Sequence, residues 1–211
     1  TLGSTTVICS DKTGTLTENQ MTVREIYVAG NRYLVTGGSH DVAGEFQIDG
    51  HRVAVADHPA LAECLHAGLL CNDASLIQGD SEGLKAHGDP TEAALLFAAE
   101  KGGLKHVAAR AARPRVDVIP FESEQMYRAT LHEAEDNRVI YVVGAAERLL
   151  DRCTDVLSHA GGVEPLDRAA IEQAMSRMAA DGLRVLALAR RHTHADHEEL
   201  EHAHLAEGLT F

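Results

Sequence analysis

Asp11 stands just after a short apolar run, Val7-Ile8-Cys9, and is followed by Lys12, Thr13, Gly14, Thr15 and Thr17. A carboxylate held at the end of a buried strand is placed to act as a covalent nucleophile. Lys12 and the hydroxyls of Thr13 and Thr15 suit phosphoryl oxygens, while Gly14 lets the backbone come close. The chemistry suggested is phosphoryl transfer onto a side-chain carboxylate. A plain polar turn after a strand is the competing reading of the same residues. A calcium loop fails, because Gly14 is the fourth residue from Asp11 rather than the sixth and threonines occupy the third and fifth places. No Gly-x-x-x-x-Gly-Lys-Ser/Thr phosphate loop occurs in the chain.

The elements that must position such residues read as mixed α and β. Val7-Ile8-Cys9 is a β-branched buried strand. Thr22–Val28 alternates as a strand, Asn31 turns the chain into Arg32–Val35, and residues 36–44 form a Gly-rich loop before a short strand over 45–48. Pro59 opens a helix with Leu61, Leu65, Leu69 and Leu70 on one face. A second helix runs from Pro90 to Lys101 and stops at Gly102-Gly103. Strands follow at Val116–Phe121, Ala129–Glu133 and Val139–Val143, then a short helix over Ala146–Arg152. Asp167 caps a helix reaching Ala180, Gly182 ends it, and Arg184–Arg190 is a strand. Strands able to pair as hairpins and interrupted by helices predict an α+β fold with a mostly antiparallel sheet flanked by helices.

Composition bounds the partners. The 211 residues fit one large domain or a domain with a piece of another. The formal charge of −13 argues against a nucleic-acid surface and against docking on anionic lipid. A polyanion must therefore be held by a few local cations and backbone amides. Cys9, Cys64, Cys71 and Cys153 form no Cys-x-x-Cys pair, which predicts buried free thiols rather than zinc or redox chemistry. No run of about 18 apolar residues is present, so no membrane span is expected. The opening at Thr1 without Met reads as a piece of a longer protein.

Residues 7–17 resemble the phosphorylation motif of the P-type ATPases, pumps that form an aspartyl phosphate. Four later motifs resemble the same family, in order. Gly88-Asp89-Pro90-Thr91-Glu92 resembles a loop-to-helix segment whose acidic residue lies near adenine; Asp89 or Thr91 also suits a helix cap and Glu92 accepts hydrogen bonds. Pro120-Phe121-Glu122-Ser123 resembles the strand end whose Phe stacks on adenine. Val143-Gly144-Ala145-Ala146-Glu147 resembles a Lys-Gly-Ala-Pro-Glu segment lying along the nucleotide. Gly182-Leu183-Arg184-Val185-Leu186-Ala187 resembles the segment whose Arg reaches toward the phosphates.

The resemblance implies an organisation and a site. Residues 1–22 begin the haloacid-dehalogenase-like phosphorylation domain, 23–192 form the nucleotide-binding domain, and 193–211 return toward the phosphorylation domain. Asp11 is the phosphorylated residue with Lys12 and Thr13 beside it, and Asp11 and Thr13 contribute to Mg²⁺ in the intact protein. ATP contacts Asp89, Glu92, Phe121, Arg128, Gly144, Ala145 and Arg184. The partners are ATP and the remaining phosphorylation, actuator and transmembrane domains of a cation pump of the type II, calcium-pump-like class. The chain is then a cytoplasmic domain of an integral membrane protein, not itself inserted in the membrane.

Departures sharpen the expectation. Val143 stands where the family carries Lys, and Met126 where it carries a cation, with Arg128 two residues on and on the same strand face. Losing two cations predicts weak ATP binding carried largely by adenine stacking, and leaves a non-catalytic nucleotide-binding module as the alternative. A dehalogenase-like phosphatase is disfavoured, since the place of its general acid is Thr13. The family's Thr-Gly-Asp and Gly-Asp-Gly-x-Asn-Asp metal-binding strings do not occur here, so the chain alone is expected to bind nucleotide without turnover. His192, His194, His197, His202 and His204 crowd one segment; if it is helical, His197 and Glu201 share a face suited to zinc or nickel, against a solvated surface helix as the alternative.

Overall fold

A computed structural model describes residues 20–39, 41–78 and 84–211. The strand at Val7-Ile8-Cys9 and the loop of Asp11, Lys12 and Thr13 lie outside the described residues. Four short strands, β1 (Glu25–Val28), β2 (Asn31–Val35), β3 (Phe46–Ile48) and β4 (His51–Val53), pair in chain order as an antiparallel sheet. Helix α1 (Pro59–Leu70) follows, then the hairpin β5 (Ser75–Gln78) and β6 (Leu84–His87), then α2 (Pro90–Lys101) and α3 (His106–Ala112). The principal sheet is built from β7 (Arg115–Glu122), β8 (Tyr127–Glu133), β9 (Arg138–Gly144), β10 (Cys153–Leu157), β11 (Val163–Pro165), β12 (Ala187–Thr193) and β13 (Leu209–Thr210). Helices α4 (Ala146–Leu150) and α5 (Arg168–Ala180) are inserted between its strands. The strand order is β11-β10-β13-β12-β9-β8-β7, antiparallel apart from the parallel pair β10–β13.

The continuous apolar run of β9 follows from burial on both faces. Val139, Tyr141 and Val143 join one core with α1 and α2 residues such as Leu61, Leu65, Leu96 and Phe97. Ile140 and Val142, one step out of phase, join the other core with Tyr127, Leu131, Leu149, Leu205 and Leu209. A strand covered on only one side would alternate with polar residues instead.

Several boundaries differ from those the sequence predicts. The first strand begins at Glu25 rather than Thr22, and the strand expected over Arg184–Arg190 runs over Ala187–Thr193. Its polar half stays in the sheet because each Arg finds a partner: Arg190 meets Glu63 at 2.9 Å, and Arg191 donates to the carbonyls of His204 (2.8 Å) and Glu207 (3.2 Å). The His-rich segment is not a helix. His192 lies in β12, and a 3₁₀ turn at His202–Leu205 is capped by Glu201. The end of segment 193–211 supplies β13, which pairs inside the principal sheet. Cys64, Cys71 and Cys153 are free thiols, the last two buried.

His132 on β8 is a buried polar residue, 2% exposed. Its Nδ1 lies 2.9 Å from the Arg113 carbonyl, so Nδ1 carries the hydrogen and donates it; Nε2 is left buried without a partner. Burial, with lesser contributions from Arg115, Arg113 and Arg110, pushes the imidazole pKa down to about 4. A histidine depressed in the folded state is protonated first in the unfolded chain. Its stability contribution is complete above pH ~6.5 and is lost as pH falls toward 4, on the order of 3 kcal/mol in all. Urea midpoints between pH 7 and 4 are expected to fall less steeply in His132→Asn than in the wild type.

Candidate functional site

The site begins where α1 ends. Asn72, buried, donates from Nδ2 to the carbonyls of Gly68 (3.0 Å) and Glu92 (2.7 Å), and its Oδ1 accepts from Ala74 N (2.8 Å). Gly88 then brings β6 against this turn: at φ +125° its backbone lies so close to Ala74 that a Cβ would come within 2.9 Å of Ala74 Cα. Asp89 caps α2, its Oδ1 accepting from Thr91 N (2.8 Å) and Glu92 N (3.2 Å), and Pro90 takes the first helical place, where no N–H is needed.

Glu92 in the first turn of α2 points back into the protein. Its Oε2 accepts from the backbone N–H groups of Asp73 (3.0 Å) and Ala74 (3.2 Å), and its Oε1 accepts from the Arg128 guanidinium. Arg128 is 7% exposed and forks, its second nitrogen reaching Asp73 Oδ2 at 2.6 Å. Arg115 holds Asp73 Oδ1 at 2.5 Å and the Asn72 carbonyl at 2.7 Å, and Arg110 donates to the carbonyls of Asn72 (3.2 Å) and Ala74 (2.9 Å). Partial burial alone would raise the Asp73 pKa, but hydrogen bonds from Arg115 and Arg128 outweigh it and hold the carboxyl below its usual range. Three guanidiniums against the carboxylates of Asp73 and Glu92 leave one positive charge in the knot, on a chain whose overall charge is −13. Arg110, Arg115, Asn72 and Asp73 were not singled out in the sequence. The only signal was the Asn-Asp pair after α1, a turn signature without any hint of arginine partners.

Phe121 lies on β7, the last strand of the sheet. The pairs Ile119–Ala129 and Glu122–Tyr127 leave Pro120 and Phe121 in a bulge opposite Arg128. A bulge re-aims its side chain, and the Phe121 ring is 59% exposed. Arg128, two residues after Met126, is buried in the ion-pair knot. Met126 lies at the β7–β8 turn with φ +57°. Val143 is a core residue packed on the α1 and α2 side of β9, which accounts for an apolar side chain where the resemblance leads one to expect Lys.

The sheet itself requires a glycine at position 144. It sits opposite Tyr127 on one side and Ala187 on the other, and a Cβ there would meet Met126 O at 2.5 Å and Tyr127 Cβ at 2.5 Å. Ala145 caps α4 and donates its N–H to Met126 O at 2.8 Å. Arg184 is exposed and lines a cavity of about 460 Å³ whose walls also include Thr91, Ala146, Met175 and Leu186. Asp89, Glu92, Phe121, Arg128, Gly144 and Ala145 are not among the residues lining it. The cavity reaches the start of α2 at Thr91, one residue before Glu92, and the start of α4 at Ala146, one residue after Ala145.

The structure thus joins Asp89, Glu92 and Arg128, sets Phe121 in the bulge opposite Arg128 in the β7–β8 register, and places Arg184 on a cavity that none of these four lines. Asp11, Lys12 and Thr13 lie outside the described residues. His197 and Glu201 do not share a helical face: the His197 ring packs edge-on against His204 at 4.4 Å, and the Glu201 N–H donates to His204 Nδ1 at 3.0 Å. Among the described residues no group of three or more His, Cys, Asp or Glu side chains is arranged to hold a metal ion. None of their helices is long and apolar enough to cross a membrane.

Comparison with known proteins gives a consistent answer. The family model described as the P-type ATPase cytoplasmic domain N matches residues 60–211. The chain is 47% identical, over its whole length, to the cation-transporting ATPase pma1 of Synechocystis, and covers 24% of that protein. It is 44% identical over 89% of its length to the probable cation-transporting ATPase F of Mycobacterium tuberculosis, covering 21% of it. It is 37% identical over 90% of its length to the human calcium-transporting ATPase type 2C member 1, covering 21%. The chain therefore spans about a quarter of the length of these relatives, and with a family model matching most of its residues it belongs to the P-type ATPases, in the part described as cytoplasmic domain N.

Proposed function

We propose that this chain is the ATP-binding portion of a pump that couples ATP hydrolysis, through an aspartyl phosphate on Asp11, to cation transport across a membrane. The names of its relatives, cation- and calcium-transporting ATPases, support a cation as the cargo and a calcium-type pump in particular. Residues 1–22 begin the phosphorylation domain in this reading and the following residues carry the nucleotide. The observation that carries it is Phe121, 59% exposed in the β7 bulge that stands opposite Arg128. An exposed aromatic face suits adenine stacking, and exposed Arg184 suits a phosphate.

Mg²⁺, when bound in the intact protein beside Asp11 and Thr13, supplies charge neutralisation on the transferred phosphoryl group. The chain's own contribution is to hold and orient the nucleotide, with Arg184 turned to its phosphate end and Phe121 to its base. Residues that accept the phosphoryl group are present in the sequence, while the Thr-Gly-Asp and Gly-Asp-Gly-x-Asn-Asp strings are not, so this chain by itself binds ATP without turning it over.

Phe121→Ala is the direct test. Loss of one base–aromatic stack is expected to weaken ATP about tenfold in calorimetric titration. The urea midpoint is expected to shift by less than the equivalent of about 0.5 kcal/mol, because the ring is exposed. Unchanged ATP affinity in that variant sinks the Phe121 reading. In the full-length pump, phosphoenzyme that is acid-stable, hydroxylamine-sensitive and absent from Asp11→Asn is the expected signature of the nucleophile.

A further inference from the structure

Glu92 is the carboxylate available to read an adenine amino group, yet most of its accepting capacity is used inside the protein. A carboxylate offers about four lone-pair directions. Two backbone N–H groups, of Asp73 at 3.0 Å and Ala74 at 3.2 Å, occupy Oε2, and the Arg128 guanidinium occupies Oε1 while neutralising its charge. The one direction left lies on an oxygen already held by a cation, in a side chain only 19% exposed. The neighbouring candidates offer no substitute. Asp89 Oδ1 caps α2 while the rest of its exposed carboxylate is open to competing water, Val143 is apolar and buried, and the Ala145 N–H is bonded to Met126 O at 2.8 Å. The polar residues beside Phe121, Ser123 and Glu124, stand exposed on the β7–β8 turn, where water competes for their hydrogen bonds.

What this leaves open to a base is the face of Phe121. Stacking is tolerant of base identity because every base presents a π-face, and it favours the larger purines by area. Strong discrimination arises when a site's buried polar groups are left unpaired by the wrong ligand. Here the Glu92 oxygens and the terminal nitrogens of Arg128 are already paired within the protein, and Arg128 Nε, which has no partner, is too buried for a base to reach, so a wrong base strands none of them. We propose that the Phe121 site accepts purine nucleotides as a class, binding GTP as well as ATP; this rests on the reading of the site as a nucleotide pocket.

Calorimetric titration of the 211-residue chain with ATP and, separately, with GTP tests the proposal. The two dissociation constants are expected to agree within about threefold, and Glu92→Gln is expected to leave their ratio in that range. A wild-type preference for ATP beyond threefold overturns the proposal while leaving nucleotide binding itself intact, and so does a ratio that moves outside the range in Glu92→Gln. Binding of neither nucleotide at millimolar concentration overturns the nucleotide-pocket reading and this inference with it.

Discussion

Gly144→Ala is expected to destabilise the domain by about 3–5 kcal/mol, among the largest effects a single methyl group can have. The added carbon would lie 2.5 Å from Met126 O, 2.5 Å from Tyr127 Cβ and 2.7 Å from Tyr127 Cα. Two of those neighbours are backbone atoms, which cannot rotate away as the end of a long side chain does. Gly144 is paired on both sides, to Tyr127 of β8 and Ala187 of β12, so the strand cannot retreat without loosening one ladder or the other. The Ala145 N–H to Met126 O bond at 2.8 Å joins the same two segments and moves with them. Urea denaturation is the measurement, with a lower midpoint and an unchanged slope as the expected result. A loss below about 1 kcal/mol shows that β8 yields more easily than its two-sided pairing implies.

Arg128→Met is expected to cost about 3 kcal/mol, for a different reason. The substitution keeps an apolar stem of similar length but removes the fork that joins Glu92 to Asp73 at 2.6 Å. Glu92, largely buried, loses its ion-pair partner and keeps hydrogen bonds only from the N–H groups of Asp73 and Ala74. An uncompensated buried charge costs more than its salt bridge contributed. Asp73 counts for less, since its side chain is 60% exposed and Arg115 remains at 2.5 Å. Arg128→Lys is expected to recover only part of the loss, because a single ammonium does not span both carboxylates. The double variant Arg128→Met, Glu92→Gln is expected to lie closer to the wild type than Arg128→Met does, and additive losses in that cycle argue against a coupled pair.

The legible parts of this fold are those whose signals are local. Asp89-Pro90 announced α2 and Asp167 announced α5, and both carboxylates cap as expected, Asp167 accepting from Ala170 N at 3.0 Å. The run of β9 was readable as a strand, and the structure accounts for its unbroken apolar sequence by burial on both faces. Elements whose stability comes from distant partners were missed. Helix α3 has Ala-rich propensity but no apolar stripe, and β4, β5, β6, β10, β11 and β13 are short strands that make sense only against their neighbours. The site divides the same way. Phe121 and Glu92 were visible in local motifs, whereas the fate of Arg128 was set by Asp73, 55 residues earlier in the chain.

Strand β13 bears on how the chain acquires its shape as it leaves the ribosome. β7, β8, β9 and β12 emerge in the order in which they pair, each finding its neighbour already made. β10 and β11 emerge before β12, yet one side of β10 has no sheet to join until Leu209 and Thr210 arrive. At translation rates of 5–20 residues per second, the interval from Leu157 to Thr210 lasts roughly 3–10 s. Throughout that interval the nascent chain presents open strand edges of the kind that recruit other chains. A two-residue strand, negligible by area, is therefore what joins β10 and β11 to the rest of the principal sheet.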